Sequence, residues 1–153
     1  ALGLLLRAFG AGLRIYMVQF IKGRESSELK AIRKHLPTVT VEQYGLGRFA
    51  KGLASPDDVE TARKGLSALR QAIVSEQYDL VIADEINVAI QVGLFDVRDV
   101  LSIIDAKPDS VEVVLTGRDA HPMLQERADL VTEMLNVKHY YGKGVPARIG
   151  IEE

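Results

Sequence analysis

Short apolar runs alternate with longer amphipathic stretches along the 153 residues of this chain. The runs are rich in β-branched residues and indicate strands, whereas the amphipathic stretches repeat apolar residues at helical spacing. Such alternation favours a parallel sheet with right-handed crossovers. We therefore expect one α/β domain over residues 1–153, doubly wound around a mainly parallel sheet. Its five predicted strands are Leu13–Ile21, Thr38–Tyr44, Asp79–Ala83, Val111–Leu115 and Leu130–Met134.

Helix start and stop signals separate these strands. The clearest is Ser55 followed by Pro56 and two acidic residues, which predicts a helix reaching about Gln77. The first helix lacks such a signal, because no capping residue stands before the apolar residues that follow Ala1. We interpret the given sequence as starting inside a helix, and a frayed terminus is the alternative. The other predicted helices are 1–9, Ser26–His35, Ile86–Val92, Asp96–Ala106 and Pro122–Ala128.

The stretch Tyr78–Ala89 organises the prediction, since a continuous apolar run there ends abruptly at Asp84 and Glu85. Ligands of parallel sheets bind outside the carboxyl ends of the strands, so both carboxylates should lie at that edge. Two anions beside a buried strand are costly to desolvate, and a bound cation or a metal–phosphate complex would offset that cost. An ordinary strand-to-helix turn capped by Asp84 explains this stretch equally well.

Two further strand ends carry polar groups: Lys22 follows the first strand, and Thr116-Gly117-Arg118 follows the fourth. Cations, carboxylates and a hydroxyl group at one edge suit a metal-bound polyphosphate. The glycine-rich loop 45–52 carries Arg48 and Phe49, and an aromatic there packs locally as often as it contacts a ligand. A glycine-rich phosphate loop should precede the first helix, and this sequence shows none.

Composition excludes several classes of function. The 19 basic and 21 acidic residues nearly cancel, which disfavours binding to nucleic acid or to anionic lipid. The chain has no cysteine, so disulfides, thiolate catalysis and cysteine metal sites are excluded, and its three separated histidines do not predict a zinc site. No apolar run reaches bilayer length and no signal peptide is visible, which predicts a soluble cytoplasmic protein.

Five segments spread over almost the whole chain carry a recognisable pattern in fixed order. They are VQFIKG at Val18–Gly23, ADEINVAI at Ala83–Ile90, EVVLTGRDAHP at Glu112–Pro122, ADLVTEM at Ala128–Met134 and VKHYYGKGV at Val137–Val145. Together they resemble one known family, the P-loop class of ATP:corrinoid adenosyltransferases. The opening ALGLLLRAFGAGLRI is similar to the segment that directly follows the family's phosphate loop.

The resemblance implies a P-loop NTPase fold of RecA-like type, here lacking its first strand and its phosphate loop. It also implies a reaction in which Co(I) of a reduced corrinoid attacks the 5′ carbon of ATP and triphosphate leaves. The substrates are then ATP and the corrinoid, with Mg²⁺ or a similar divalent cation. No general acid or base is needed, because the nucleophile carries no proton.

Family position also implies residue roles. The acidic pair Asp84 and Glu85 is expected at the metal, and Glu85 and Arg118 are expected to position the substrates. Arg48 and Phe49 fall where the family places its corrinoid loop, although the loop here is shorter. The residues expected on ATP are Lys22, Thr116, Gly117 and Arg118.

The family further implies a homodimer, a flavoprotein as the source of electrons, and a place in cobalamin biosynthesis or salvage. Pro146 and Arg148 depart from the residues that the family often has there, so functions at those positions are open. Two other functions also remain open. One is a nucleotide- or corrinoid-binding module without transferase activity, and the other is a P-loop ATPase in which Glu85 activates water.

Overall fold

The computed structural model describes residues 1–47 and 54–151, in which helices and strands alternate. The strands are β1 (Ile15–Phe20), β2 (Val39–Tyr44), β3 (Leu80–Asp84) and β4 (Glu112–Leu115). The helices are α1 (Leu2–Gly10), α2 (Ser27–His35), α3 (Pro56–Val74), α4 (Ile86–Gln91), α5 (Val97–Ile104) and α6 (Pro122–Arg127), and a 3-10 turn spans Tyr140–Lys143.

The four strands form one parallel sheet in the order β2-β1-β3-β4. Ile15 at the start of β1 lies opposite Val39 of β2 on one side and Leu80 of β3 on the other. The inner strands β1 and β3 are buried almost throughout, which explains their continuous apolar runs. The edge strand β2 is only partly buried, as its alternating sequence predicted.

Helices cover both faces of the sheet. On one face α3, α4 and α5 bury a core around Phe20, Val81 and Val100. On the other face α1 and α2 pack Leu5 and Leu29 against β1 and β3. The prediction of a doubly wound α/β domain with a parallel sheet is therefore confirmed.

The helix boundaries follow the predicted signals closely. At α3 the Ser55 hydroxyl accepts from the Asp58 N–H at 3.3 Å, and the Asp58 carboxylate accepts from the Ser55 N–H at 3.0 Å. This reciprocal cap fixes the start of α3. The helix ends at Val74, slightly before the predicted end, and Glu76 then takes a left-handed conformation.

No helix in the described part of the chain is both long enough and apolar enough to cross a membrane.

The predicted strand Leu130–Met134 is wrong, and the described residues form four strands instead of five. Leu130 is 84% exposed and Met134 is 91% exposed, so neither contributes to a core. An apolar sequence becomes a strand only where a neighbouring strand satisfies its backbone N–H and C=O groups. No described strand lies beside this segment, although its composition is typical of one.

Candidate functional site

The carboxyl edge of the sheet carries one polar side chain from each strand. Gln19 of β1 lies directly opposite both Gln43 of β2 and Asp84 of β3. Thr116 completes the set, because it directly follows Leu115, the partner of Ala83 in β3. Side chains at the same level of adjacent strands share one face, and this face is the one covered by α1 and α2. We call Gln43, Gln19, Asp84 and Thr116 the polar row.

Asp84 is held in the polar row by two uncharged donors. Its Oδ2 accepts from Gln19 Nε2 at 2.8 Å, and its Oδ1 accepts from the Thr116 hydroxyl at 2.8 Å. Among the described residues no lysine, arginine or histidine forms an ion pair with this carboxylate. The negative charge of Asp84 is therefore fixed in place without a protein cation to balance it.

Glu85 begins α4 in a left-handed backbone conformation, with φ at +61°. A residue other than glycine pays roughly 1–2 kcal/mol for this conformation, and such strain is concentrated at functional sites. The Glu85 N–H donates to the Thr116 hydroxyl at 3.1 Å, whereas its half-buried carboxylate contacts no polar partner within the described ranges. Two carboxylates with unused acceptor capacity thus adjoin each other.

The interpretation of Asp84 as a helix cap is wrong. Asp84 is the last residue of β3, and Glu85 occupies the N-cap position of α4 without a side-chain capping bond. The Asp84 carboxylate accepts from Gln19 and Thr116, and no hydrogen bond within the described residues joins it to a backbone N–H of α4. The alternative of a polar site at the strand end is the one that this geometry favours.

The turn Thr116-Gly117-Arg118 is clamped to the first turn of α4. The Asn87 backbone N–H donates to the Thr116 carbonyl at 3.1 Å, and Asn87 Nδ2 donates to the Gly117 carbonyl at 3.3 Å. Gly117 has φ at +127°, and a Cβ there would lie 3.0 Å from the Asn87 Cβ, so the turn requires glycine. Arg118 is exposed, and no hydrogen bond or ion pair joins it to the rest of the described chain.

Lys22 is not brought into contact with Asp84 or Glu85. Its Nζ lies 3.6 Å from Glu28 Oε1 at the start of α2, in a pair whose side chains are 44% and 26% exposed. Ile21, directly before it, has φ at +67°, an unusual value for a β-branched residue. The turn after β1 is held by Gly23, where any Cβ would collide with the backbone at Gly45. Lys22 therefore lies at the same end of the sheet as the two carboxylates but pairs with Glu28 instead.

Arg48 and Phe49 lie outside the described residues, so their predicted contact with a corrinoid stays a prediction. Of the other predicted site residues, the structure brings Asp84, Glu85, Thr116 and Gly117 together. It leaves Arg118 exposed at the same strand end. Their roles toward nucleotide and metal also stay predictions.

Sequence reasoning missed Gln19 and Gln43. Gln19 is fully buried, with an exposed fraction of 0%, in a strand that is otherwise apolar apart from one tyrosine. A buried amide in such a strand must find polar partners, and that requirement was the available signal. Gln43 gave no comparable signal, because the partly exposed edge strand β2 tolerates polar residues.

The site fits a cation that arrives with phosphate better than a metal site built by protein alone. The described residues contain no group of three or more histidine or acidic side chains placed to hold an ion. Asp84 and Glu85 offer two carboxylates, and Mg²⁺ is commonly held by one or two carboxylates together with substrate phosphates and water. The donor set therefore suits a metal–nucleotide complex.

The start of α1 lies toward the same edge. Only four residues join Gly10, the end of α1, to Ile15, the start of β1, so the helix returns antiparallel to the strand. Leu5 and Ala8 pack on the face that carries the polar row.

Comparisons with known proteins agree on one family. Residues 1–152 match the family described as ATP:corrinoid adenosyltransferase BtuR/CobO/CobP. The corrinoid adenosyltransferase of Pseudomonas aeruginosa is 35% identical over 153 residues, which cover 99% of this chain and 75% of that protein. The Sinorhizobium corrinoid adenosyltransferase is 36% identical, with 98% of this chain and 72% of that protein covered. The Escherichia coli K12 enzyme of the same name is 29% identical, with coverage of 99% and 77%. The chain therefore belongs to the ATP:corrinoid adenosyltransferase family.

Proposed function

We propose that this protein is an ATP:cob(I)alamin adenosyltransferase of cobalamin biosynthesis or salvage. Co(I) donates an electron pair to the 5′ carbon of ATP, a cobalt–carbon bond forms, and the carbon–oxygen bond to triphosphate breaks. The cobalt becomes formally Co(III), and the leaving triphosphate keeps the pair from the broken bond. The observation that carries the proposal is the uncompensated Asp84–Glu85 pair at the carboxyl edge of a chain that belongs to this family.

The residues at the carboxyl edge of the sheet are proposed to make different contacts with the metal-bound ATP. Asp84 and Glu85 would hold Mg²⁺ or a similar divalent cation, which supplies positive charge to the triphosphate when it is bound. Thr116 keeps the Asp84 carboxylate in place through its hydroxyl, and the Gly117 turn sets the position of Arg118. The exposed guanidinium of Arg118 is suited to bidentate contact with phosphate oxygens.

Lys22 and the loop residues complete the proposed substrate contacts. Lys22 follows β1 at the edge of the sheet that carries the polar row, and its partly exposed pair with Glu28 is weak enough to give way to a phosphate. Arg48 and Phe49 are proposed to contact the corrinoid from their position in the family pattern. A homodimer, a flavoprotein that reduces the corrinoid and a cytoplasmic location are the remaining parts of the proposal.

Charge placement, rather than proton transfer, is what this site offers to the reaction. Co(I) has no proton to lose, and triphosphate leaves as a stable anion, so neither a base nor an acid is required. Fixed groups that neutralise the developing charge need no rearrangement during the reaction, which is the usual source of electrostatic catalysis. Glu85 and Arg118 are therefore proposed to position the substrates.

The test is product analysis with the full-length protein, Mg-ATP and chemically reduced cobalamin. We expect adenosylcobalamin, followed by its absorption spectrum, and triphosphate in equal amount. Release of ADP and phosphate without any cobalt–carbon bond would contradict the proposal and favour a P-loop ATPase. Binding of both substrates without any product would favour a module that lacks transferase activity.

A further inference from the structure

We propose that Gln43 and Gln19 are positioning residues that orient the Asp84 carboxylate for a divalent cation, an inference that rests on the proposed function. The two amides form a relay across the sheet from the turn after β1 to the end of β3. Neither side chain is expected to touch ATP, metal or corrinoid. Their effect reaches the site through Asp84.

The first step of the argument is the burial of Gln19. Its exposed fraction is 0%, and a buried amide is stabilised only when both its oxygen and its nitrogen have partners. Its Oε1 accepts from Gln43 Nε2 at 2.9 Å, and its Nε2 donates to Asp84 Oδ2 at 2.8 Å. Gln19 therefore links an amide on one side to a carboxylate on the other.

The second step is that the backbone sets the direction of every bond in the row. Gln43 Nε2 also donates to the Arg24 carbonyl at 3.2 Å, and a carbonyl oxygen can only accept. The NH₂ group of Gln43 must therefore face Arg24 and Gln19, which turns the NH₂ group of Gln19 toward Asp84.

The same reasoning applies from the opposite end. The Glu85 N–H can only donate, and it occupies an acceptor position of the Thr116 hydroxyl at 3.1 Å. The Thr116 hydroxyl proton is then free to point at Asp84 Oδ1. Donors reach both oxygens of Asp84 from fixed directions, so the carboxylate plane cannot rotate without breaking a bond.

The third step concerns what this orientation accomplishes. Each Asp84 oxygen spends one acceptor position on the row and keeps another for a ligand. Outer partners of this kind orient metal ligands, and their loss commonly costs about 10- to 100-fold in metal affinity or activity. A row that served only to satisfy a buried amide would not influence how tightly a cation binds.

The test compares Gln19→Leu and Gln43→Leu with the matched control Tyr16→Phe. Tyr16 also lies on β1 and donates to a β2 residue, Glu42, at 2.7 Å, but it takes no part in the polar row. The full-length variants are titrated with Mn²⁺ in the presence of the β,γ-imido analogue of ATP, and free Mn²⁺ is followed by EPR. Binding of the analogue without metal and the melting temperature are measured alongside.

We expect Gln19→Leu to weaken Mn²⁺ binding by about 10- to 100-fold while leaving metal-free binding of the analogue unchanged. Gln43→Leu should weaken it less, since Gln19 keeps its contact with Asp84 and loses only the hydrogen bond from Gln43 that holds its Oε1. Tyr16→Phe should bind Mn²⁺ as the unaltered protein does. Adenosyl transfer should recover in Gln19→Leu at high Mn²⁺ concentration, because the metal site is weakened and not removed.

Unchanged Mn²⁺ affinity in Gln19→Leu would overturn the proposal. If that variant does not fold, Gln43→Leu decides the matter, because Gln43 is only half-buried and its replacement disturbs the core less. The outcome is separable from the proposed function. If Gln19→Leu weakens Mn²⁺ binding but the unaltered protein makes no adenosylcobalamin, the relay is supported and the transferase is rejected. If the unaltered protein makes adenosylcobalamin but Gln19→Leu binds Mn²⁺ normally, only the relay is rejected.

Discussion

The strand β3 has an aspartate at each end, and the two are bonded in opposite ways. The carboxylate of Asp79, just before the strand, accepts three hydrogen bonds from Arg14. The donors are Nη2 at 2.6 Å, Nε at 3.1 Å and the backbone N–H at 2.8 Å. Asp84, the last residue of the strand, receives only the neutral groups of Gln19 and Thr116. The same residue type is thus neutralised by a cation at one end of the strand and only oriented at the other.

This difference separates a structural carboxylate from one that is available to a ligand. The side-chain hydrogen bond from Arg14, followed by its backbone hydrogen bond, lowers the pKa of Asp79 to about 2. The charge of Asp79 is already balanced within the protein. Asp84 and the adjacent Glu85 have no such cation among the described residues, so both carboxylates are available to a cation from outside the protein.

The largest expected effect is on Asp84 itself. Asp84→Ala should lower adenosyl transfer by about 100-fold or more, since losing the proposed metal ligand should exceed the loss caused by removing an outer partner. Asp79→Ala should leave the rate near that of the unaltered protein, because Asp79 lies at the opposite end of β3. Initial rates at saturating corrinoid measure both. Equal losses in the two variants would break the distinction between the two ends.

A smaller effect is expected at Arg118, which, like Asp84, forms no ion pair with any described residue. Charge-assisted hydrogen bonds contribute about 1.5–3 kcal/mol, so Arg118→Ala should weaken ATP binding by roughly 10- to 100-fold. Its stability should barely change, because no described group depends on its guanidinium. Calorimetric ATP binding and a thermal melt test the two parts. A large fall in melting temperature would show instead that Arg118 is structural.

Asp79 should affect the pH dependence of protein stability rather than the rate of the reaction. Its pKa in the folded protein, about 2, lies below the ordinary value of 3.8, so ionised Asp79 stabilises the fold. That contribution is complete above about pH 4 and is lost as the pH falls toward 2. Asp79→Asn should therefore flatten the loss of stability between about pH 4 and pH 2, as measured by urea unfolding. An unchanged pH profile would mean that Arg14 does not stabilise Asp79 in solution.

The smallest effect is expected at Glu28. Its replacement tests whether Lys22 is available to bind the nucleotide. The partly exposed pair between Lys22 and Glu28 is worth about 0–1 kcal/mol, so Glu28→Gln should hardly alter stability. If Lys22 serves the nucleotide, freeing it should leave ATP affinity unchanged or slightly higher. Calorimetry on the variant measures this. A clear loss of affinity would show that Glu28 places Lys22, or contacts the substrate itself.

Much of the fold could be predicted because burial on both faces leaves a plain sequence signal. The inner strands β1 and β3 are continuous apolar runs, and helix α3 carries its cap and its proline in sequence. The proximity of Asp84 and Thr116 could also be predicted from the sequence, because the carboxyl ends of parallel strands lie at the same edge of the sheet.

What could not be predicted depends on partners that lie elsewhere in the chain. Leu130–Met134 has a strand-like composition, but composition does not say whether a neighbouring strand is present. The polar row required the register between β1, β2 and β3, which no local pattern contains. The left-handed conformation of Glu85 likewise accompanies a hydrogen bond from its N–H to Thr116, a partner 31 residues away that no local pattern contains.

The most direct test of the account asks which aspartate a bound cation approaches. Protein labelled with ¹³C at the aspartate carboxyl carbons is mixed with Mn²⁺ and ATP, and Asp79→Asn and Asp84→Asn identify the two signals. Five residues of strand separate the two positions by about 16 Å, far enough for paramagnetic broadening of ¹³C to distinguish them. We predict that the Asp84 signal broadens beyond detection while the Asp79 signal stays sharp. A sharp Asp84 signal in the saturated complex would contradict the assignment of this edge as the metal–nucleotide anchor.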